Sequence, residues 1–292
     1  MKLFEKVKTS PFEREIYVLG RKIFSYSNMK LGVSYNLFDG EELLEPSAKT
    51  IRKSAQYINV IYQNVSNRGE KRDDDLGVML HALKRRGVID EYILYTPDLS
   101  RKPSYNEKKK RVIGFELVKK RGCSHFLGMD VDEFYHHEEV ERAKEKILTW
   151  NIKISAVSKI EYWTNPELQV IDCARYEAFV PFIVKTTVSQ KVTLDGYFPC
   201  LVDPTRKVKG HGRFFLFPKQ EVAMHHMSSV RNDLEKKFRN STYNPELTKA
   251  YCKELKNAKF DEKLPDGFYW SKDKVVRKVP DVFNVGAYLK KK

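Results

Sequence analysis

Between Leu31 and Asp130 the chain alternates four short apolar runs with three stretches of helical spacing, and that order fits a parallel α/β sheet better than any other layer arrangement. Leu31–Phe38 has the length of a strand and closes on Asp39-Gly40, a turn signal. Glu41–Ala55 follows with Leu43, Leu44, Ala48, Ile51 and Ala55 on one helical face. Tyr57–Gln63 is the second strand, Asp74–Arg86 a helix stopped by Gly87, and Glu91–Thr96 the third strand. Helix is expected again from Ser104 to Lys120, with Ser104 and Glu107 in capping-box positions. His125–Met129 is the fourth strand. In a doubly wound sheet, ligands bind beyond the carboxyl ends of the strands, so the residues just after each strand are where chemistry is expected.

After Trp150 the pattern loosens. Lys153–Tyr162, Phe179–Val188, Lys191–Leu194 and Arg213–Phe217 read as strands, and Asn232–Asn240 and Pro245–Ala258 as helices. Residues 1–28 form a basic segment with strand-like pieces at Glu15–Leu19 and Lys22–Tyr26, residues 29–231 the main domain, and residues 232–292 a helical and basic tail.

Charge adds a partner class. Lys and Arg number 54 against 39 Asp and Glu, a net +15. The excess is local: residues 1–30, 101–121 and 271–292 carry +4, +7 and +5, leaving the rest near neutrality. Such patches suit an anionic partner, whether nucleotide phosphate, nucleic acid or an acidic membrane face. No run approaches the roughly 18–20 apolar residues of a membrane span. The charged N-terminus does not read as a secretory signal, and Cys123, Cys173, Cys200 and Cys252 are widely spaced without a CxxC pair. A cytoplasmic protein is expected.

The sharpest local signal is HFLGMDVDEFY, residues 125–135. A hydrophobic strand delivers Asp130, Asp132 and Glu133 into the region past its end, and alternation places Asp130 and Asp132 on one side. Crowded carboxylates repel unless a cation lies between them, and hard divalent ions prefer oxygen ligands, so Mn²⁺ or Mg²⁺ is expected there. Upstream, Lys108, Lys109, Lys110 and Arg111 occupy the first turns of a helix, where cations oppose the helix dipole unless an anion sits nearby; Lys109 and Arg111 are therefore candidate phosphate contacts. In MHHMSSVR (224–231), one of the adjacent His225 and His226 is expected to join the metal, and Arg231 to clamp a diphosphate. Asp203 lies on an X-Pro turn, as a general base or as a turn former, with Arg206 three residues on as a candidate acceptor contact.

This order of elements leading into FLGMDVDEFY resembles the GT-A glycosyltransferases, most closely the bacterial family-2-like enzymes that build lipopolysaccharide, lipooligosaccharide and capsule. The resemblance spans about residues 29–231, and the opening KVKTSPFEREIYVLGRKIFSYSN is similar to the N-terminal segments of such transferases. It implies a Rossmann-like, mostly parallel sheet flanked by helices. It also implies a DxD motif, Asp130 and Asp132, that carries Mn²⁺ or Mg²⁺ and bridges the diphosphate of a nucleotide sugar, UDP-linked in expectation. Tyr35, Asn36 and Asp39 would border the nucleotide, Gln63 the base, and His225 or His226 would complete the metal shell. The acceptor would be a saccharide or a lipid-linked one at the inner face of the cytoplasmic membrane, reached through the basic termini, with no nucleic acid involved. The first strand reads SYNLFDGEELL, and neither an ED nor a QxxRW signature follows the DxD. Those signatures would mark the base; in their place Asp203 is the first candidate and Asp195 the second, and inverting and retaining chemistry both stay open. A strand ending in DxD also serves metal-dependent nucleases, nucleotidyltransferases and haloacid-dehalogenase-type phosphatases. The phosphatase pattern wants Thr or Val where Phe134 stands.

Overall fold

The computed structural model describes residues 2–8, 13–27, 29–72, 76–173, 179–188, 198–240, 253, 269–271 and 274–289. Strands β1 (Phe4–Lys8), β2 (Glu13–Val18) and β3 (Arg21–Ser27) form an antiparallel sheet of their own. The main sheet begins with β4 (Leu31–Leu37), buried at every position as a central parallel strand must be. It continues through α1 (Glu41–Arg52), β5 (Tyr57–Tyr62), α2 (Leu76–Arg85), β6 (Glu91–Leu94), α3 (Pro103–Lys120) and β7 (His125–Asp130). Next come β8 (Glu133–Phe134), α4 (His137–Thr149), β9 (Ile154–Glu161), β10 (Leu168–Cys173) and β11 (Phe179–Lys185). The order closes with β12 (Phe214–Leu216), β13 (Ala223–His226), α5 (Leu234–Asn240), β14 (Tyr269–Ser271) and β15 (Lys274–Lys278).

Among the described residues the main sheet runs β6-β5-β4-β7-β11-β9-β13-β8, with β12 beside β9. The first four strands are parallel, β11 is antiparallel to both its neighbours, and β12 and β13 are parallel to β9. This is an α/β fold with a large mixed sheet flanked by helices, consistent with the Rossmann-like arrangement expected above. The strand order reverses at β4: its chain goes to β5 on one side, and the later β7 lies on the other. The crevice for a ligand therefore opens past the ends of β4 and β7.

Two faces cover the sheet. Alternation along β4 sends Val33, Tyr35 and Leu37 into a core shared with Ala48 and Ile51 of α1 and with Tyr135 and Val140. Ser34 and Asn36 point to α3. There α3 comes so close that a Cβ on Gly114 would lie 1.8 Å from the Ser34 hydroxyl oxygen, so only glycine fits. Gly32 does the same for Val118 from the strand side. A third cluster joins Leu43, Phe134, Tyr162, Met227 and Val230 to Phe283 and Val285, tying the chain's last described stretch to the main body.

The capping-box expectation at Ser104 needs correction. The helix begins a residue earlier, with Pro103 in its first turn and no side chain on the cap. Glu107 is spent elsewhere, as described next. The expected strand at Lys191–Leu194 and most of the helix at Pro245–Ala258 lie outside the described residues.

Candidate active site

The crevice past β4 and β7 holds a belt of paired charges in two halves. The first half is built by α3. Its N-terminal turns are buried rather than solvated, with Lys108, Lys110 and Arg111 at 5% exposure or less. Arg111 Nη2 reaches both carboxylate oxygens of Asp130 at 2.9 and 3.0 Å, and Glu107 at 3.2 Å. Glu107 also takes a bond from Asn36 Nδ2 at 2.8 Å and pairs with Lys110 at 3.0 Å. Arg206, from the 3-10 turn Pro204–Arg206, bridges Asp130 and the buried Glu133. These guanidinium groups hold the Asp130 carboxyl well below the usual range against the opposing effect of burial. Burial dominates at Glu133 and raises it. Lys108 donates to the Lys207 carbonyl, and burial, with Arg111 nearby, lowers its ammonium to about 8.

The second half is built by β13 and the residues after it. β7 ends at Asp130 and the chain turns, so the alternation expected for Asp130 and Asp132 stops between them. Asp132 faces Arg231, Lys237 and His226 instead of Arg111 and Arg206. Its Oδ2 accepts from Arg231 and, at 3.0 Å, from Lys237 Nζ. Arg231 also binds Asp39 Oδ1 at 2.7 Å. Gly40, at φ 72°, leaves that guanidinium room: a Cβ there would lie 2.6 Å from Nη1. Asp132 Oδ1 faces His226 Nε2 at 3.8 Å, too long for a hydrogen bond, and the other ring nitrogen of His226 sits 2.8 Å from Glu161 Oε2.

Strand alternation separates the two histidines. His226 faces the crevice. His225 points the other way, with Nδ1 2.8 Å from the Tyr162 hydroxyl and its ring packed on His136 and Phe283. Burial lowers His225 to about 3, and likewise His125 to about 4. Both rings thus stay neutral in the fold while the unfolded chain takes up protons near pH 6.5. Because these folded pKa values are depressed, stability is lost as pH falls from about 6.5 towards 4. The slope approaches about 3 kcal/mol per pH unit with both rings in play. A second loss follows below about pH 4, where the unfolded chain protonates Asp130, Asp132, Glu107 and Glu161 while the folded chain, in which all four are lowered, holds them ionised. Urea midpoints measured from pH 8 to 3 should be flat above 7 and fall in these two stages.

The remaining sequence candidates are placed as follows. Asn36 and Asp39 lie in the belt. Tyr35 is fully buried on the α1 face with its hydroxyl 2.9 Å from Ser47 Oγ, so it does not border the crevice. Gln63 Nε2 donates to the Val65 carbonyl and to Asn67 Oδ1, while Gln63 Oε1 and Asn64 Oδ1 are buried without a partner among the described residues. Lys109 is half-buried on α3, outside the ion-pair belt. Arg206, expected at the acceptor, is buried in the first half. Asp203 Oδ1 accepts from Thr205 N and Oγ1 at 2.7 and 2.8 Å, the bonds of a turn former. Asp195 lies outside the described residues. Sequence reasoning passed over Glu161 and Lys237, took Glu107 for a helix cap, and put Glu133 past the strand end without naming its partner. Glu161 had a usable signal, since it closes an apolar run.

The donors present fit a divalent ion only in part-formed fashion. Among the described residues no three His, Cys, Asp or Glu side chains converge as a metal-binding group. Asp132 Oδ1 and His226 Nε2 do face one another, and a carboxylate on the far nitrogen of a ligating imidazole is the usual orienting partner. Two protein donors completed by ligand phosphate oxygens are what Mg²⁺ and Mn²⁺ sites on phosphate substrates commonly use.

No protein-family model matches the chain, and no curated protein matches it. Among solved structures it is similar to S. aureus TarS, at 12% identity and a TM-score of 0.43 over 78% of this chain. It spans 42% of the length of that TarS chain. TarS 1-349 in complex with UDP gives 13% identity and a TM-score of 0.43, covering 71% of that chain; the complex with UDP-GlcNAc gives 14% and 0.41, covering 72%.

Proposed function

We propose that this chain is a metal-dependent glycosyltransferase of the GT-A type. It moves a sugar from a nucleoside-diphosphate donor, UDP-linked, to a saccharide or lipid-linked acceptor in surface polysaccharide synthesis. The observation that carries this reading is Asp132 at the point of strand-order reversal. It is faced by a histidine that Glu161 orients, and it is flanked by Arg231 and Lys237, whose charges a diphosphate can answer.

In this reading Asp132 and His226 would hold the ion, and its chemistry there would be countercharge for the leaving nucleoside diphosphate. Arg231, fixed by Asp39, and Lys237 add charge-assisted donors on the same side. Arg111 and Arg206 keep Asp130 ionised and immobile beside it. The acceptor hydroxyl attacks the anomeric carbon, and a carboxylate takes its proton. Asp203, with Oδ2 outside its turn, is the candidate among the described residues, and Asp195 is the alternative. Among the described residues no helix is long and apolar enough to cross a membrane. We place a lipid-linked acceptor at a membrane face, with the basic ends of the chain, +4 over residues 1–30 and +5 over residues 271–292, drawn to anionic headgroups.

Calorimetry with UDP, GDP, CDP and dTDP, each with Mn²⁺ and with EDTA, tests the reading. One nucleoside diphosphate is expected to bind at least tenfold tighter with metal, about 1.4 kcal/mol. If none binds, the transferase reading is wrong. Hydrolysis of a generic phosphate ester or of nucleic acid would then favour the phosphatase or nuclease.

A further inference from the structure

α5 bridges the two sides of the crevice. Near its middle, Lys237 Nζ donates to Asp132 Oδ2 at 3.0 Å and to the Ser228 carbonyl and hydroxyl at 2.6 and 2.8 Å, next to the end of β7. At its far end, Arg239 reaches Glu70 Oε1 at 3.0 Å, and Asn240 donates to Glu70 Oε2 at 2.9 Å. Glu70 belongs to the turn after β5, where its carbonyl accepts from Ser66 N at 2.7 Å. Just before the helix, the Asn232 N–H bonds Glu42 in the first turn of α1 at 2.8 Å.

β5, β4 and β7 are consecutive in the sheet. Their outer two are therefore separated by about 9.6 Å, twice the strand spacing. Lys237 and Asn240 are about 4.5 Å apart along the helix axis, and their side chains, with those they meet, span the rest. An element tied to Asp132, just past β7, and to Glu70, in the turn that follows β5, reaches across the end of the strand between them. That is β4, where the strand order reverses and a ligand would enter.

The polar fastening is by charge. No residue of α5 is fully buried; Leu234 and Phe238 are half-buried, short of an anchor comparable to the core. Arg239 and Glu70 are 58% and 34% exposed, a class of pair contributing about 0–1 kcal/mol and weakened by salt. Lys237 is the second cation on an oxygen that the deeply buried Arg231 already satisfies, so releasing it leaves Asp132 still paired. Elements with few buried apolar contacts are the ones that open locally at low cost.

We propose that α5 is an electrostatically latched strap. It closes the crevice by capping Asp132 with Lys237, and it opens at the Glu70–Arg239 end to admit an anionic ligand. That the ligand is a metal-bound nucleoside diphosphate rests on the transferase reading. The strap itself does not.

Limited trypsin digestion of the full chain, with the cut sites mapped by mass, tests it, because the strap carries Lys236, Lys237 and Arg239. At low salt, cleavage after Lys236 and Lys237 is expected to be slow in the wild-type protein and about 2–5-fold faster in Glu70→Gln, the factor equivalent to losing one exposed pair. Arg239→Gln should raise it equally, and the double variant no further. In the wild type, 0.5 M NaCl should reproduce the effect. Unchanged cleavage in both single variants overturns the strap, and so does a rise spread evenly over the whole chain. A strap that behaves as expected in a protein that binds no nucleoside diphosphate would sink the transferase reading alone.

Discussion

Asp132→Asn is expected to cut sugar transfer by about 10²–10³-fold, the usual cost of losing one fixed charge or donor at a developing anion, while the chain still folds. The asparagine keeps an oxygen to accept from Arg231 and Lys237 but has no charge to offer an ion facing His226. The fold survives because both cations have other partners: Arg231 keeps Asp39, and Lys237 keeps the Ser228 carbonyl and hydroxyl. Asp130→Asn should reverse the balance. Asp130 is the common partner of two buried guanidinium groups, so its loss costs more stability and, since those groups rather than an ion occupy it, less activity. Transfer rates and urea midpoints for both variants decide the matter. Near-normal transfer by Asp132→Asn, in a protein that transfers at all, would remove Asp132 from the ion site.

The parts of the architecture that rest on local apolar pattern were legible in the chain. β4, β5 and β7 show because central parallel strands are covered on both faces and read as nearly unbroken apolar runs. The acidic end of β7 shows because carboxylates after such a run have few structural reasons to be there. The site resisted reading where partners are far apart in sequence. Arg206 meets Glu133 across 73 positions and Arg231 meets Asp39 across 192, and no periodicity encodes such a pairing. The basic start of α3 looked like a solvated or anion-seeking cluster because its partners, Glu107 apart, lie outside the helix. Lys110 and Arg111 are paired within the protein by Glu107 and Asp130, and Lys108 donates to the Lys207 carbonyl. One error came from a single residue of phase. Tyr35 and Asn36 sit on opposite faces of β4, so the aromatic goes to the core and only the amide to the crevice. The choice between His225 and His226 stayed open in the sequence because β13 was not recognised as a strand whose alternation would assign them.

Arg206→Met should be the most damaging single change in the belt. Its guanidinium is 8% exposed and bridges Asp130 to Glu133, itself 1% exposed. Methionine keeps the apolar stem and most of the volume but removes the charge, so the main cost is expected to report on charge. Glu133 would be left with the Asp130 N–H at 3.1 Å and no cation in contact, and stranding a buried charge in this way costs about 3–5 kcal/mol. Against a total stability of about 5–15 kcal/mol for a domain, that is enough to leave the variant marginal. Arg206→Lys should recover only part, because an ammonium cannot fork across two carboxylates. The pH dependence of the deficit identifies its origin. Glu133 is already raised by burial, and losing Arg206 raises it further. A group with a raised folded pKa contributes stability that is full below the unfolded value and is lost as pH rises through the folded one. The gap between wild type and Arg206→Met, measured by urea unfolding at matched pH, should therefore be widest at pH 8 and narrow towards pH 5. Comparing at matched pH cancels the histidine contributions. A gap constant from pH 8 to 5 would mean that lost packing, not an orphaned carboxylate, sets the cost.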